Sequence, residues 1–150
     1  MPITLEHIEA EQAKVSELIA KFKANQSRQF HLPAITLDLA SGEECAGLVL
    51  TSEGKPSHYL ILLPNEVDEI TFDQAVAWAK EQGGDLPSRE EQALLFANLK
   101  KHFQPAYYWS GIEHPSNKGY AFVQTFYYGL QSYGDKHDKF RARAVRRFNA

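Results

Sequence analysis

An α+β fold is predicted from three observations. Short apolar runs bounded by turn residues fill positions 34–63, two helices with full capping signals follow between 71 and 99, and aromatic-rich extended segments return from 107 to 148. Strands and helices segregated along a chain, rather than alternating, are the order of an α+β domain. The chain has 150 residues, enough for one ordinary domain with its own core plus a short appendage.

The appendage comes first. From Thr4 to about Asn25, Leu5, Ile8, Val15, Ile19 and Phe22, with Gln12 at the missing position, repeat at alternating spacings of three and four. That is a heptad seam on an amphipathic helix. At 1.5 Å per residue it spans roughly 30 Å, which is marginal for a free coiled coil. Two uses fit it: packing on its own domain, or a homo-oligomerising stalk through residues 4–25 in which Gln12 fixes the register. Gln26–Pro33, QSRQFHLP, has neither period and carries a proline, as a linker does. The expected organisation is a helix at 1–26, a linker at 27–33 and a domain at 34–150.

Ala34–Leu39 alternates Ile35, Leu37 and Leu39 against Thr36 and Asp38, and is predicted as a strand. After a turn at Ser41–Glu44, Cys45–Thr51 and His58–Leu63 are apolar runs separated by the hairpin-like Ser52–Ser57, and Pro64–Asn65 is expected to end the second. Thr71 with Gln74 forms a capping box ahead of Phe72, Ala75, Val76 and Ala79, and Gly83–Gly84 stops that helix. Ser88 with Glu91 forms a second box ahead of Ala93, Leu94, Phe96 and Leu99. Beyond Pro105, strands are expected at Tyr107–Gly111, Tyr120–Tyr128, Leu130–Tyr133 and Arg141–Phe148.

Bulk properties exclude several classes. A formal charge of −3 gives no general attraction to nucleic acid or anionic membrane. Cys45 is the single cysteine, so no intramolecular disulfide and no paired-cysteine zinc site can form. The first residues carry no basic region followed by an apolar run, so no signal peptide is expected, and no stretch is apolar enough for membrane insertion. The histidines are scattered without a nucleophile motif around them, so no enzyme activity and no catalytic residue is expected. Asp135, His137 and Asp138 are too sparse a set to hold a metal and read as a charged turn. No cofactor is expected.

Tyr107–Gly134, YYWSGIEHPSNKGYAFVQTFYYGLQSYG, holds six of the seven tyrosines. Tyrosine offers rigid contact area and a hydroxyl that tolerates water, which suits an exposed recognition surface. Trp109, in a short central strand, reads as core. Alternation places Tyr120, Phe122, Gln124, Phe126 and Tyr128 on one face of the ribbon and Ala121, Val123, Thr125 and Tyr127 on the other. Both faces carry apolar residues, and the period does not say which is wet.

Four ordered motifs carry a resemblance. Leu86-Pro87-Ser88-Arg89 opens a helix, Tyr108-Trp109-Ser110 forms a strand, Ala121-Phe122 and Phe126-Tyr127-Tyr128-Gly129 form a ribbon, and Arg143-Ala144-Val145-Arg146 closes the chain. Over Gly84–Arg147 the sequence resembles the Lcl-type C-terminal domain of bacteria and phages. The resemblance implies a C-type-lectin-like fold with two helices and small antiparallel sheets, used as a binding scaffold, including by phage tropism proteins. A lone cysteine and no expected signal peptide fit a virion-associated or cytoplasmic location. The resemblance further implies that Phe122 and Phe126 are buried and Tyr127 faces outward. The loop motifs that hold calcium in vertebrate lectins are missing, so no metal is expected.

These readings give a non-catalytic ligand-binding module, of phage or prophage type, that recognises a protein or glycan. The candidate ligand-binding residues are Glu113, His114, Asn117 and Lys118 on one loop, Tyr127, Tyr128, Gln131 and Tyr133 on the ribbon, and His137 beyond it. Arg141, Arg143, Arg146 and Arg147 are expected on the outer face of the last strand, paired with carboxylates or tyrosines rather than with nucleic acid. The alternative is an assembly or accessory protein whose ribbon packs on a partner subunit.

Overall fold

The structure, a computed structural model, describes residues 2–150. The chain divides into two compact units, Met1–Leu32 and Pro33–Ala150. The first contains α1 (Leu5–Asn25), whose N-cap Thr4 side chain accepts a hydrogen bond from the His7 backbone N–H. Ion pairs Glu11–Lys14 and Glu17–Lys21 stitch its polar surface. No residue of α1 is buried, so Leu5, Ile8, Val15, Leu18, Ile19 and Phe22 all remain exposed.

The second unit contains β1 (Glu44–Leu50), β2 (Pro56–Ile70), α2 (Phe72–Glu81), α3 (Arg89–Leu99), a short 3₁₀ turn, β3 (Tyr107–Glu113), β4 (Tyr120–Thr125), β5 (Gln131–Asp135) and β6 (Phe140–Asn149). The strands form one six-stranded sheet in the order β1-β2-β6-β3-β4-β5. The α+β order is as the sequence predicts, but small separate antiparallel sheets are not what forms. Every pairing is antiparallel except β3 with β6, where Tyr108 stands opposite Arg141 and joins the two halves into a mixed sheet.

The centre of the sheet is covered on both faces. Trp109, Ala121, Val123, Ala142 and Ala144 pack with Phe72, Ala75 and Ala79 of α2. Their neighbours in the strands, Tyr108 and Val145, pack instead with Leu95 and Leu99 of α3. Side chains alternate across a strand, so the two helices lie on opposite faces. Trp109 is fully buried, donates its indole N–H to the Ile70 carbonyl at 2.8 Å, and meets Phe72 and Phe140 edge-on. Ser110 is buried too. Its hydroxyl donates to the Phe122 carbonyl and accepts from the Ile112 N–H, filling the register shift between β3 and β4.

Both capping boxes close as predicted, Thr71 with Gln74 and Ser88 with Glu91. Gly84 follows α2 because a Cβ there would lie 2.2 Å from the Val145 carbonyl oxygen. Three expectations fail. Ala34–Leu39 is not a strand: its alternating apolar residues find no partner strand, and the segment is held by the Tyr59 hydroxyl on the Pro33 carbonyl and by Arg146 on the Asp38 carbonyl. Pro64–Asn65 does not end β2. The proline sits in a register shift between Leu62 and Glu66, where its missing N–H breaks no ladder bond. The strand from Tyr120 ends at Thr125 rather than Tyr128, because Phe126–Tyr128 turn the chain toward β5.

Candidate functional site

The ribbon β4–β5 is the scaffold of the site, and its register orders the residues along it. Gln124 pairs with Gln131 next to the Phe126–Leu130 turn, Phe122 with Tyr133 in the middle, and Tyr120 with Asp135 at the far end. Opposite residues of an antiparallel pair share a face, so these six side chains line one side. This is the α3 side, since the Gln124 amide donates to the Gln92 carbonyl on that helix.

Helix α3 begins at Arg89, and beyond its first turn the ribbon is not roofed. Gln124 is fully buried, Phe122 and Tyr120 are half-buried, and Tyr133 is 55 % exposed. His114 stacks on Phe122 with ring centroids 5.8 Å apart and meets the edge of Tyr133 at 4.8 Å. Tyr120 meets Tyr133 edge-on at 5.8 Å. The Arg89 guanidinium lies over Phe122, 3.9 Å from the ring centroid. Beside this group opens a cleft of about 530 Å³ lined by Arg89, Glu90, Ala93, Gln124, Gly129 and Gln131.

A ladder of glutamine amides fixes the cleft floor. The Gln92 amide donates to the Tyr108 carbonyl at 3.2 Å and the Gln124 amide to the Gln92 carbonyl at 2.8 Å. The Gln131 amide donates to the Arg89 carbonyl at 2.6 Å and to Gln124 Oε1 at 2.9 Å, while Gln131 Oε1 accepts from Arg89 Nε at 3.1 Å. Such bonds stabilise buried amides, and one acceptor of the ladder, Gln92 Oε1, is buried without a partner.

The structure distributes the predicted ligand-binding residues over three places. Tyr127 and Tyr128 form an edge-on pair on the turn, 55 % and 76 % exposed. Tyr133 and His114 belong to the middle cluster. Glu113, Asn117, Lys118 and His137 lie at the far end, where Glu113 accepts an ion pair from Lys136 at 2.9 Å and His137 caps a turn with its N–H on Asp135 Oδ1. The 114–119 loop folds on itself: the His114 ring nitrogen Nδ1 accepts from the Ser116 and Asn117 N–H groups, and Asn117 Oδ1 from Gly119. Gln131 lines the cleft, with both ends of its amide bonded within the ladder. Phe126 is buried as the resemblance implies, stacked on Phe103 at 3.8 Å, whereas Phe122 is only half-buried beneath Arg89.

Arg89, Gln92, Gln124 and Glu90 escape a sequence reading. They sit in a capped helix and a strand whose hydrophobic pattern draws attention away from them. The polar run Ser88-Arg89-Glu90-Glu91-Gln92 at a helix start is the one local signal.

The first turn of α3 is anchored by Glu91, which is 1 % exposed. Its carboxylate accepts from Arg147 Nε and Nη2, both at 2.7 Å, from the Ser88 N–H at 2.8 Å, and from His58 Nε2 at 2.6 Å. Burial raises the pKa, but the Arg147 fork, the Ser88 N–H and His58 outweigh it and hold the carboxyl at about 2. Ser57 Oγ lies 2.9 Å from His58 Nδ1, so serine, histidine and carboxylate form a row at a second cleft of about 440 Å³. The carboxylate of this row is already neutralised by a forked arginine, and its geometry is that of an anchor between β2, α3 and β6.

The other arginines of β6 are also engaged. Arg141 pairs with Glu66 and Asp68, and Arg146 with Glu43, whose pKa falls to about 2 through that bond. Arg143 departs from the outer face expected for it. It is buried and donates to the His102 and Leu63 carbonyls, and desolvation lowers its pKa. The Tyr108 hydroxyl donates to Glu66, and burial raises its pKa above the usual phenol value.

Among the described residues no group of three His, Cys, Asp or Glu side chains could hold a metal ion, and no helix is long and apolar enough to cross a membrane. Neither a scan against protein-family models nor a search of curated proteins finds a match to the chain.

Proposed function

We propose that this chain is a non-catalytic binding module, phage or prophage encoded, with a C-type-lectin-like domain that recognises a protein or glycan through the aromatic side of β4–β5. One observation carries the reading: the α3 side of the ribbon is left unroofed just where His114, Tyr120, Phe122 and Tyr133 converge next to an open cleft. The lectin-like fold is supported by the return of the last strand, β6, onto β2 near the start of the domain, with the later ribbon projecting beyond. It is further supported by the four motifs of the Lcl-type domain, which fall on the α3 start, β3, the ribbon with its turn, and β6.

Affinity at one such site is modest, because a shallow aromatic surface makes few hot-spot contacts. Assembly through α1 multiplies it. Leu18 lies beside the Leu5–Ile8–Val15–Ile19–Phe22 seam and widens the apolar stripe, Glu11 flanks the stripe one heptad earlier, and the Glu17–Lys21 ion pair keeps the opposite side polar. Linked copies then gain avidity without any new contact.

The assembly-protein reading shares the same exposed tyrosines, and hydroxyl-radical footprinting of the purified oligomer separates the two. Tyr127, Tyr128 and Tyr133 react freely if the ribbon is a recognition surface. Protection of all three within the native complex assigns the ribbon to a subunit interface instead.

A further inference from the structure

We infer that Arg89 is an anion-recognition group and that the ligand of the cleft is an acidic sugar, one bearing a single carboxylate on a hydroxylated ring. The inference rests on the recognition reading above and narrows its ligand. Every other arginine of the folded domain is occupied: Arg141, Arg146 and Arg147 are in ion pairs and Arg143 is bonded to buried carbonyls. Arg89 has no carboxylate within ion-pair distance, yet it is not a mobile surface side chain. Its Nε is fixed on Gln131 Oε1 and its plane lies over Phe122. With Nε committed, the two terminal nitrogens of a guanidinium held at a cleft wall are left to bind a ligand, and their planar fork matches a carboxylate. The orienting interactions are made before any ligand arrives, so little ordering entropy is lost on binding.

Two further features select a sugar rather than an acidic peptide or a phosphate chain. Glu90 lines the same cleft. Its carboxylate accepts hydroxyl hydrogen bonds, which a sugar ring supplies, and it repels a second negative charge. Outside the cleft lining, the exposed Tyr133 meets Phe122, the ring under Arg89, edge-on at 6.4 Å, so a sugar ring that reaches past Arg89 finds an aromatic surface for its C–H side.

The test is a titration of the isotope-labelled full-length protein, followed at the Arg89 Nε–Hε resonance. The probes are methyl glucuronide, galacturonate and N-acetylneuraminate, the neutral methyl glucoside and galactose, and acetylated Asp-Glu as a peptide. The expected result is a saturable shift with at least one acidic sugar, and affinity lower by about ten- to hundred-fold for the neutral sugars, the range of a charge-assisted pair. Arg89→Gln abolishes that preference, and Arg89→Lys keeps part of it. An unmoved Arg89 resonance with every acidic sugar overturns the proposal in the wild type, with no variant needed. Equal affinity for neutral and acidic sugars, or a shift with the peptide alone, overturns it as well. Cell binding that survives Arg89→Gln but is lost in Tyr127→Ala/Tyr133→Ala refutes the acidic sugar and leaves the recognition surface standing. Absence of cell binding by the folded wild type removes both.

Discussion

Replacing Glu91 by glutamine isolates the anchor that holds the first turn of α3, and with it Arg89, against the sheet. The wild-type carboxylate accepts four hydrogen bonds from Arg147, His58 and the Ser88 N–H. Glutamine keeps the volume but turns one acceptor into an N–H₂ that faces donors. The ordinary carboxyl value of 4.5 falls to about 2 in the folded protein. At 1.36 kcal/mol per unit this links to about 3 kcal/mol of stability at neutral pH. Removing one partner of a buried pair costs about 3–5 kcal/mol, and Arg147 keeps enough solvent contact to place the loss at the lower end. Urea unfolding at pH 7 measures it as a fall in midpoint of about 2 M at unchanged slope, for a slope of about 1.5 kcal/mol/M. The pH dependence has a definite sign. Because the folded pKa lies below the unfolded one, the unfolded state binds the extra proton, so the contribution is complete above about pH 4.5 and is lost as pH falls toward 2. The gap between wild type and Glu91→Gln therefore closes across that window. A variant within about 1 kcal/mol of wild type at pH 7, or a gap independent of pH, refutes the anchoring argument.

Other substitutions probe the site and the helix. Gln131→Leu breaks the amide ladder, leaves Gln124 Oε1 unpaired and removes the amide bond to the Arg89 carbonyl, costing about 1–3 kcal/mol in thermal or urea unfolding and releasing Arg89 from its position. Gly129→Ala is destabilising for two reasons, a backbone φ of +78° and a Cβ 2.7 Å from the Phe96 ring. The expected cost is about 1–3 kcal/mol, with the β4–β5 turn displaced in amide chemical shifts. Ile19→Glu places a charge in the exposed α1 seam; sedimentation velocity should show a smaller species while the circular dichroism melt of the domain is unchanged.

The parts of the fold legible in the sequence are those set by local chemistry. Thr71 with Gln74 and Ser88 with Glu91 announced both helix starts, since each cap is complete within four residues. Burial of Trp109 was legible from its place in a short strand. What escaped depends on partners distant in sequence. Ala34–Leu39 has a strand's alternation but no strand to pair with, and Pro64 is tolerated because a register shift happens to fall there. The ribbon was recognisable as the tyrosine-rich element, yet the reach of α3 over it decides which residues are wet. That reach ties Gln131 to the start of α3 and leaves Tyr133 open. Arg89 could not be singled out, because its position depends on Gln131 and Phe122, more than thirty residues away in the chain.

The most direct measurement of the central claim is saturable binding of labelled protein to intact bacteria and to a glycan panel. It compares wild type with Tyr127→Ala/Tyr133→Ala, both with and without a chelator. The recognition reading predicts wild-type binding that the chelator does not change and that the double variant, folded and assembled as wild type, loses. Wild-type binding that the double variant retains in full, or binding abolished by the chelator, contradicts it.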